Sequence, residues 1–189
     1  MSNSREQILL TTADLLENQG FHATGMNEIV KESGAPKGSI YYYFPGGKDE
    51  IVAETVRLAG QRTAERIRAH LDKVIDPAEA IQSFVETIAY HIEVSGFRAG
   101  GPLTIVASET ATTNERINLA CQEAYTELRE AFASRLRASG IEEGKAISLA
   151  WMITATVEGA IILSRTFHTA DPLREAAQQL ASVIRRCES

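Results

Sequence analysis

At 189 residues the chain fits one domain or a small module joined to a larger one, and 44% hydrophobic with 23% charged residues excludes a disordered chain. A net charge of −6 excludes a general nucleic-acid coat, although a specific reader needs positive charge only on its docking face. The two cysteines, Cys121 and Cys187, make neither a disulfide framework nor a metal knuckle, and His22, His70, His91 and His168 have no metal-ligand spacing, so neither metal nor cofactor is expected.

Helical stripes recur along the whole chain without strand-like alternation, which predicts an all-α protein of about nine helices. The first is expected over residues 4–19. Ser4-Arg-Glu-Gln7 has the pattern of a capping box, and Ile8, Leu9, Thr12, Ala13 and Leu16 mark one face. Gly20 stops it. Thr24 is positioned to cap a second helix that buries Met26, Ile29 and Val30 and ends at Gly34. Pro36 opens a third, very short helix, and Phe44-Pro-Gly-Gly closes it. A long fourth helix follows, to about residue 71.

Asp76-Pro-Ala-Glu79 supplies a cap, a first-turn proline and a capping acid for a fifth helix, which Gly96 ends. A short helix near 103–110 comes after the Gly100-Gly-Pro102 break. The next spans about 114–139, striped by Ile117, Cys121, Ala124, Leu128, Phe132 and Leu136, so Cys121 reads as a buried structural thiol. Residues 142–168 form the most apolar segment, and Asp171-Pro reads as the cap and first turn of a last helix to Cys187. The chain divides near Gly47: a helix-turn-helix module over 1–47, then a larger helical bundle over 48–189. No uninterrupted apolar run reaches the ~18 residues of a membrane span. The run from Trp151 to Ser164 is shorter and carries Glu158 and Gly159, and the first six residues lack the apolar core of a signal peptide. A cytoplasmic protein without membrane association is expected.

The third helix holds most of the functional information. It compresses Lys37, Gly38, Ser39, Ile40 and three consecutive tyrosines, Tyr41, Tyr42 and Tyr43, between two glycine-proline breaks. At 100° per residue Ile40 and Phe44 share one side and anchor it. Gly38 and Tyr42 lie opposite, with Ser39 and Tyr41 on the shoulders and Tyr43 and Lys37 bordering the buried side. A glycine permits close backbone approach, a serine hydroxyl meets a base edge or a phosphate, and a tyrosine offers phosphate a hydroxyl and thymine a ring. Lys48 stands at the next helix N-terminus, where a phosphate would also find free amides. Up to residue 50, Arg5, Lys31, Lys37 and Lys48 face Glu6, Asp14, Glu17, Glu28, Glu32, Asp49 and Glu50. Such a head must use hydroxyls and backbone amides as well as cations.

The pattern Ile8-Leu9, Gly20-Phe21, Thr24, Ile29, Gly34, Gly38-Ser39-Ile40-Tyr41, Phe44 and Lys48 resembles the N-terminal module of the TetR family of transcriptional repressors. Pro36 stands where that family often has a capping serine or threonine. Phe44-Pro-Gly-Gly-Lys48 is one residue longer than the usual turn, a feature similar to the branch named for the LmrA and YxaF repressors. Residues 100–109 and 151–165 and the Asp171-Pro-Leu start also resemble that branch, but the cysteine that many of its members carry near Gly100-Gly-Pro102 is missing here. The resemblance implies a homodimer joined through the last two helices. It also implies a palindromic double-stranded operator read in successive major grooves, and release from the DNA by a small-molecule effector. By carry-over, Tyr42, Ser39 and Lys37 lie near base edges, and Thr24, Tyr41, Tyr43 and Lys48 hold phosphates.

In the C-terminal half, residues 150–163 are nearly apolar around the whole circumference, which requires burial on several sides. Ala155, Gly159 and Ala160 allow close helix approach, and Ala176, Ala177, Leu180 and Ile184 stripe the last helix; dimerisation through these two helices is expected. Glu158 reads either as an interface carboxylate paired with an arginine such as Arg165 or as the polar anchor of an effector cavity. Tyr90, His91, Phe97, Tyr125, Phe132, Trp151 and Met152 would line that cavity for a small aromatic or apolar effector. The alternative is a DNA-binding regulator controlled by a protein partner. No phosphate loop, metal pair or nucleophile–base pattern suggests an enzyme.

Overall fold

The computed structural model describes residues 4–187, and among these it contains nine helices and no strand. They are α1 (Ser4–Ala23), α2 (Met26–Ser33), α3 (Lys37–Tyr43), α4 (Gly47–Leu71), α5 (Pro77–Val94), α6 (Leu103–Thr110), α7 (Glu115–Ala138), α8 (Glu143–Phe167) and α9 (Asp171–Arg185). The all-α expectation is met. Two compact units are present: the described residues up to 61 together with 101–124, and residues 62–100 together with 125–187.

In the first unit, Gly20 interrupts α1 with φ 78° and ψ −178°, so only its first sixteen residues are continuous helix and Phe21–Ala23 form a separate turn. Gly34 ends α2 in the left-handed region at φ 64°, its amide donating to the Lys31 carbonyl. Thr24 does not cap α2. Gly25 is the N-cap, and the buried Thr24 hydroxyl instead donates back to the Gly20 carbonyl at 2.7 Å. Pro36 caps α3 through its carbonyl, which accepts the Ser39 and Ile40 amides at 2.8 and 3.3 Å. Ile8, Leu9, Ile29, Ile40, Phe44 and Ile51 form the core, with Met26, Val30, Tyr43 and Leu58 packed at its margin. Helix α6 lies along α1 in the same unit, and Gly60 meets Ala124 so closely that a Cβ would stand 2.5 Å from the alanine methyl.

The second unit is built on the packing of α9 against α5 and α8. Asp76 caps α5 as expected, its carboxylate accepting the Glu79 amide at 2.7 Å. Asp171 does not cap α9: Ala170 holds that position, and Asp171 and Pro172 begin the helix itself. Arg135 of α7 secures the α4–α5 turn, donating to the carbonyls of Leu71, Val74 and Ile75 and to the Ser139 hydroxyl. His70 and Ser83 are bonded at 2.9 Å, and an aromatic chain from His70 through Phe84 to Phe132 fills the space behind them.

Helix α8 is longer than the interrupted run read from the sequence, and by length and composition alone it is apolar enough to span a bilayer. Its inner face, with Ala146, Leu149, Ile153, Val157 and Ala160, is buried in the manner of a core helix. The stripe of α9, from which the sequence predicts a dimer contact, turns inward: Ala176, Ala177, Leu180 and Ile184 are buried within the chain. What α8 leaves uncovered is Trp151, Ala155, Ile162, Leu163 and Phe167.

Candidate functional site

Helix α3 carries the first site. Ile40 and Phe44 are fully buried, and Arg5 lies over the Phe44 ring at 5.4 Å from the other side. With the anchor fixed, the rest of the helix points outward as helical geometry requires. Tyr42 is 81% exposed and Tyr41 47% exposed. Lys37 and Gly38 are exposed, Ser39 is half-buried, and a side chain added at Gly38 would meet open space. Tyr43 takes an intermediate place, its ring edge-on to both Tyr42 and Phe44. The tyrosines therefore divide into two outward residues and one that braces the core.

Two predicted contact residues are turned inward. The Thr24 hydroxyl is bonded to Gly20, as described above. The Lys48 ammonium donates to the Phe21 carbonyl at 2.7 Å and stands 3.9 Å from the centre of the Phe21 ring. Burial lowers the Lys48 pKa, with the charges of Asp49 and Glu109 acting in the opposite direction. Of the other cations in this module, Arg5 is paired with Glu54 and Lys31 with Glu32. Lys37 has no ion-pair partner among the described residues.

The second site is a seam of α7 and α8 within the second unit. Tyr125 hydrogen-bonds Glu158, and burial pushes the Glu158 carboxyl up to about 7 against that bond. Arg165, on the same helix, lies beside Gly100. One turn along α7 from Tyr125, Arg129 stacks on Trp151 at 5.1 Å, and its Nε is buried without an acceptor among the described residues. Sequence reading missed Arg129; the clue was its spacing of four from Tyr125.

The remaining effector candidates fall into other groups. Phe132 is in the core beside Phe84, Tyr90 and His91 are exposed on α5 and in contact with each other, and Phe97 meets His168. Met152 is half-buried next to Trp151. An open concavity of about 1030 Å³ at the α4–α5 turn is lined by Asp72, Ile75, Asp76, Glu79 and Arg135 among others, and by none of the predicted effector residues. Because the Arg135 guanidinium is already bonded to carbonyls there, the concavity is the rim of a turn. Burial raises the Cys121 thiol to about 11, which makes it an inert core residue.

Comparison with known proteins identifies relatives of both halves of the chain. Residues 8–55 match the family described as bacterial regulatory proteins, tetR family, and residues 77–179 match the C-terminal domain of LmrA/YxaF-like transcriptional regulators. The chain is 39% identical over 184 residues to the uncharacterized HTH-type transcriptional regulator YxaF of Bacillus subtilis, covering 97% of this chain and 96% of that protein. It is 35% identical to the HTH-type transcriptional regulator LmrA of the same organism, covering 97% and 98%. Among solved structures, the regulatory protein TetR from Rhodobacter sphaeroides superimposes with a TM-score of 0.81 at 20% identity, covering 95% of this chain and 97% of that one. The reduced form of NemR from E. coli gives 0.79 at 19% identity, covering 94% and 95%.

Proposed function

Because the chain belongs to the TetR family of DNA-binding transcriptional regulators, in its LmrA/YxaF-like branch, we propose that it is a ligand-responsive repressor in the cytoplasm. In this reading a homodimer binds a palindromic operator and is released by a small effector. The observation that carries it is the division of α3 into a buried anchor, Ile40 and Phe44, and an open face of Gly38, Ser39, Tyr41 and Tyr42. Tyr42 and Ser39 approach base edges, Tyr41 reaches a phosphate, and Lys37 supplies a cation that no acid among the described residues neutralises.

The second copy covers the outer face of α8. Trp151, Ala155, Ile162 and Leu163 are apolar and uncovered, and Gly159 among them leaves room for close approach. The polar outer face of α9 borders that contact. The effector engages the α7–α8 seam through a planar, largely apolar body. Its polar group meets Glu158, which is largely protonated below neutral pH, or the unsatisfied Nε of Arg129.

Selection of DNA from a random pool by the full-length protein tests the reading directly. An enriched two-fold symmetric sequence is the expected result, and a pool that stays random removes the repressor function. With the selected sequence in hand, small aromatic compounds can be screened for release of the DNA in wild type but not in the Glu158→Ala variant.

A further inference from the structure

The strongest unexplained arrangement in the molecule surrounds one residue, Phe21. Gly20 breaks α1 at a positive φ, and the break leaves the amides of Phe21 and His22 without helical acceptors. A carboxylate from another helix fills the gap. Glu109, at the end of α6, accepts the Phe21 amide at 2.6 Å and the His22 amide at 3.2 Å, both through Oε2. On the far side of the same residue, the Phe21 carbonyl accepts the Lys48 ammonium at 2.7 Å, and the ring lies beneath it at 3.9 Å. The fit is close: a Cβ added at Gly20 would stand 2.5 Å from Glu109 Oε1. A parallel tie runs from the Glu17 carboxylate to the Gly101 amide at 2.8 Å, just ahead of α6.

We propose that Glu109 and Lys48 are positioning residues for DNA recognition, clamping the Phe21 residue from both sides and so setting where α2 starts and how α2 and α3 are presented. Phe21 lies four residues before Gly25, the N-cap of α2, and Thr24 is bonded back to Gly20 within the same turn. The core of Ile8, Ile29, Ile40 and Phe44 holds the three helices together without the clamp. Losing the clamp therefore frees the entry into α2 more than it unfolds the module. This assigns Lys48 a task different from the phosphate contact that the family resemblance implies. Its ammonium already donates inward, and it acts on DNA through Phe21. The inference rests on the reading of α3 as a DNA-reading helix.

The test uses the full-length protein and the sequence it selects from a random pool, with binding measured at several salt concentrations and thermal unfolding measured in parallel. If no sequence is selected, the reading of α3 fails and the clamp proposal with it; if one is selected, the variants decide the clamp alone. Glu109→Ala is expected to weaken binding by about tenfold, the effect of losing a hydrogen bond to a charged group. Glu109→Gln, which keeps an acceptor oxygen, should retain most of the affinity. A carboxylate that merely repelled the DNA would give the opposite sign, with both variants binding more tightly. Lys48→Ala should weaken binding while leaving the slope of log K against log salt unchanged, whereas loss of a phosphate contact lowers that slope by about one. Tighter or unchanged binding in Glu109→Ala, or a lowered slope in Lys48→Ala, overturns the proposal. Should Glu109→Ala fail to fold, tighter binding in Glu109→Gln or a lowered slope in Lys48→Ala still overturns it.

Discussion

Helices α3 and α8 both present aromatic side chains to the outside, for opposite physical reasons. In α3 the outward residues are tyrosines and a serine beside a glycine, each stable in water and each able to bond a polar partner. In α8 they are Trp151, Ile162, Leu163 and Phe167, large apolar side chains that gain nothing from water. Exposure of an aromatic ring therefore does not by itself mark a ligand. The groups beside it decide: hydroxyls and a close-approach glycine suit phosphate and base edges, whereas small and aliphatic neighbours suit another helix.

The largest effect should come from putting a charge into the α8 face. Ile162→Asp is expected to destabilise a dimer by at least about 3 kcal/mol, because the carboxylate would be buried unpaired at each half of the contact. Sedimentation would show a monomer, and a variant that remains dimeric at micromolar concentration would move the interface elsewhere.

Glu158 is the acidic residue midway along the same helix. Its carboxyl has a pKa of about 7 in the folded chain against an ordinary 4.5, so between those values the folded state holds its proton more tightly than the unfolded state. Stability therefore falls as pH rises from about 4.5 to 7, and the full penalty of about 3 kcal/mol is present above 7. Glu158→Gln should raise the melting temperature by roughly 5–10 °C at pH 8 and little at pH 4. A difference that does not vary with pH would mean that the carboxyl is well solvated.

On α3 the outward and bracing tyrosines should behave differently. Tyr42→Ala should cost ~1–3 kcal/mol in operator binding and leave stability nearly unchanged. Tyr43→Ala should lower stability as well, since its ring packs against the core. Equal effects of the two substitutions would erase the division drawn on this helix. The smallest change is expected for Lys37→Ala, about 1 kcal/mol over all DNA sequences, with the salt slope reduced by about one. That loss of slope is what separates Lys37 from Lys48.

The chain itself determined its helices and most of their ends. Apolar residues at three- and four-residue spacing, together with Gly20, Gly34, Pro36, Asp76 and Gly96, act within a few residues of where they stand, so their effects are legible without a structure. The same local geometry separated Ile40 and Phe44 from Tyr41 and Tyr42. Tertiary structure decided everything that depends on which distant group arrives first. Thr24 and Asp171 have the chemistry of caps, yet the Gly20 carbonyl took the Thr24 hydroxyl and Ala170 took the cap of α9. The stripe of α9 gave no sign of which surface it would meet, and α5 and α8 cover it from within the chain. Lys48 and Glu109 are 61 residues apart, and their meeting around Phe21 rests on the packing of α6 along α1. A periodicity records which side of a helix is apolar. It does not record the partner, because that is set by the free energy of the assembled core rather than by any one segment.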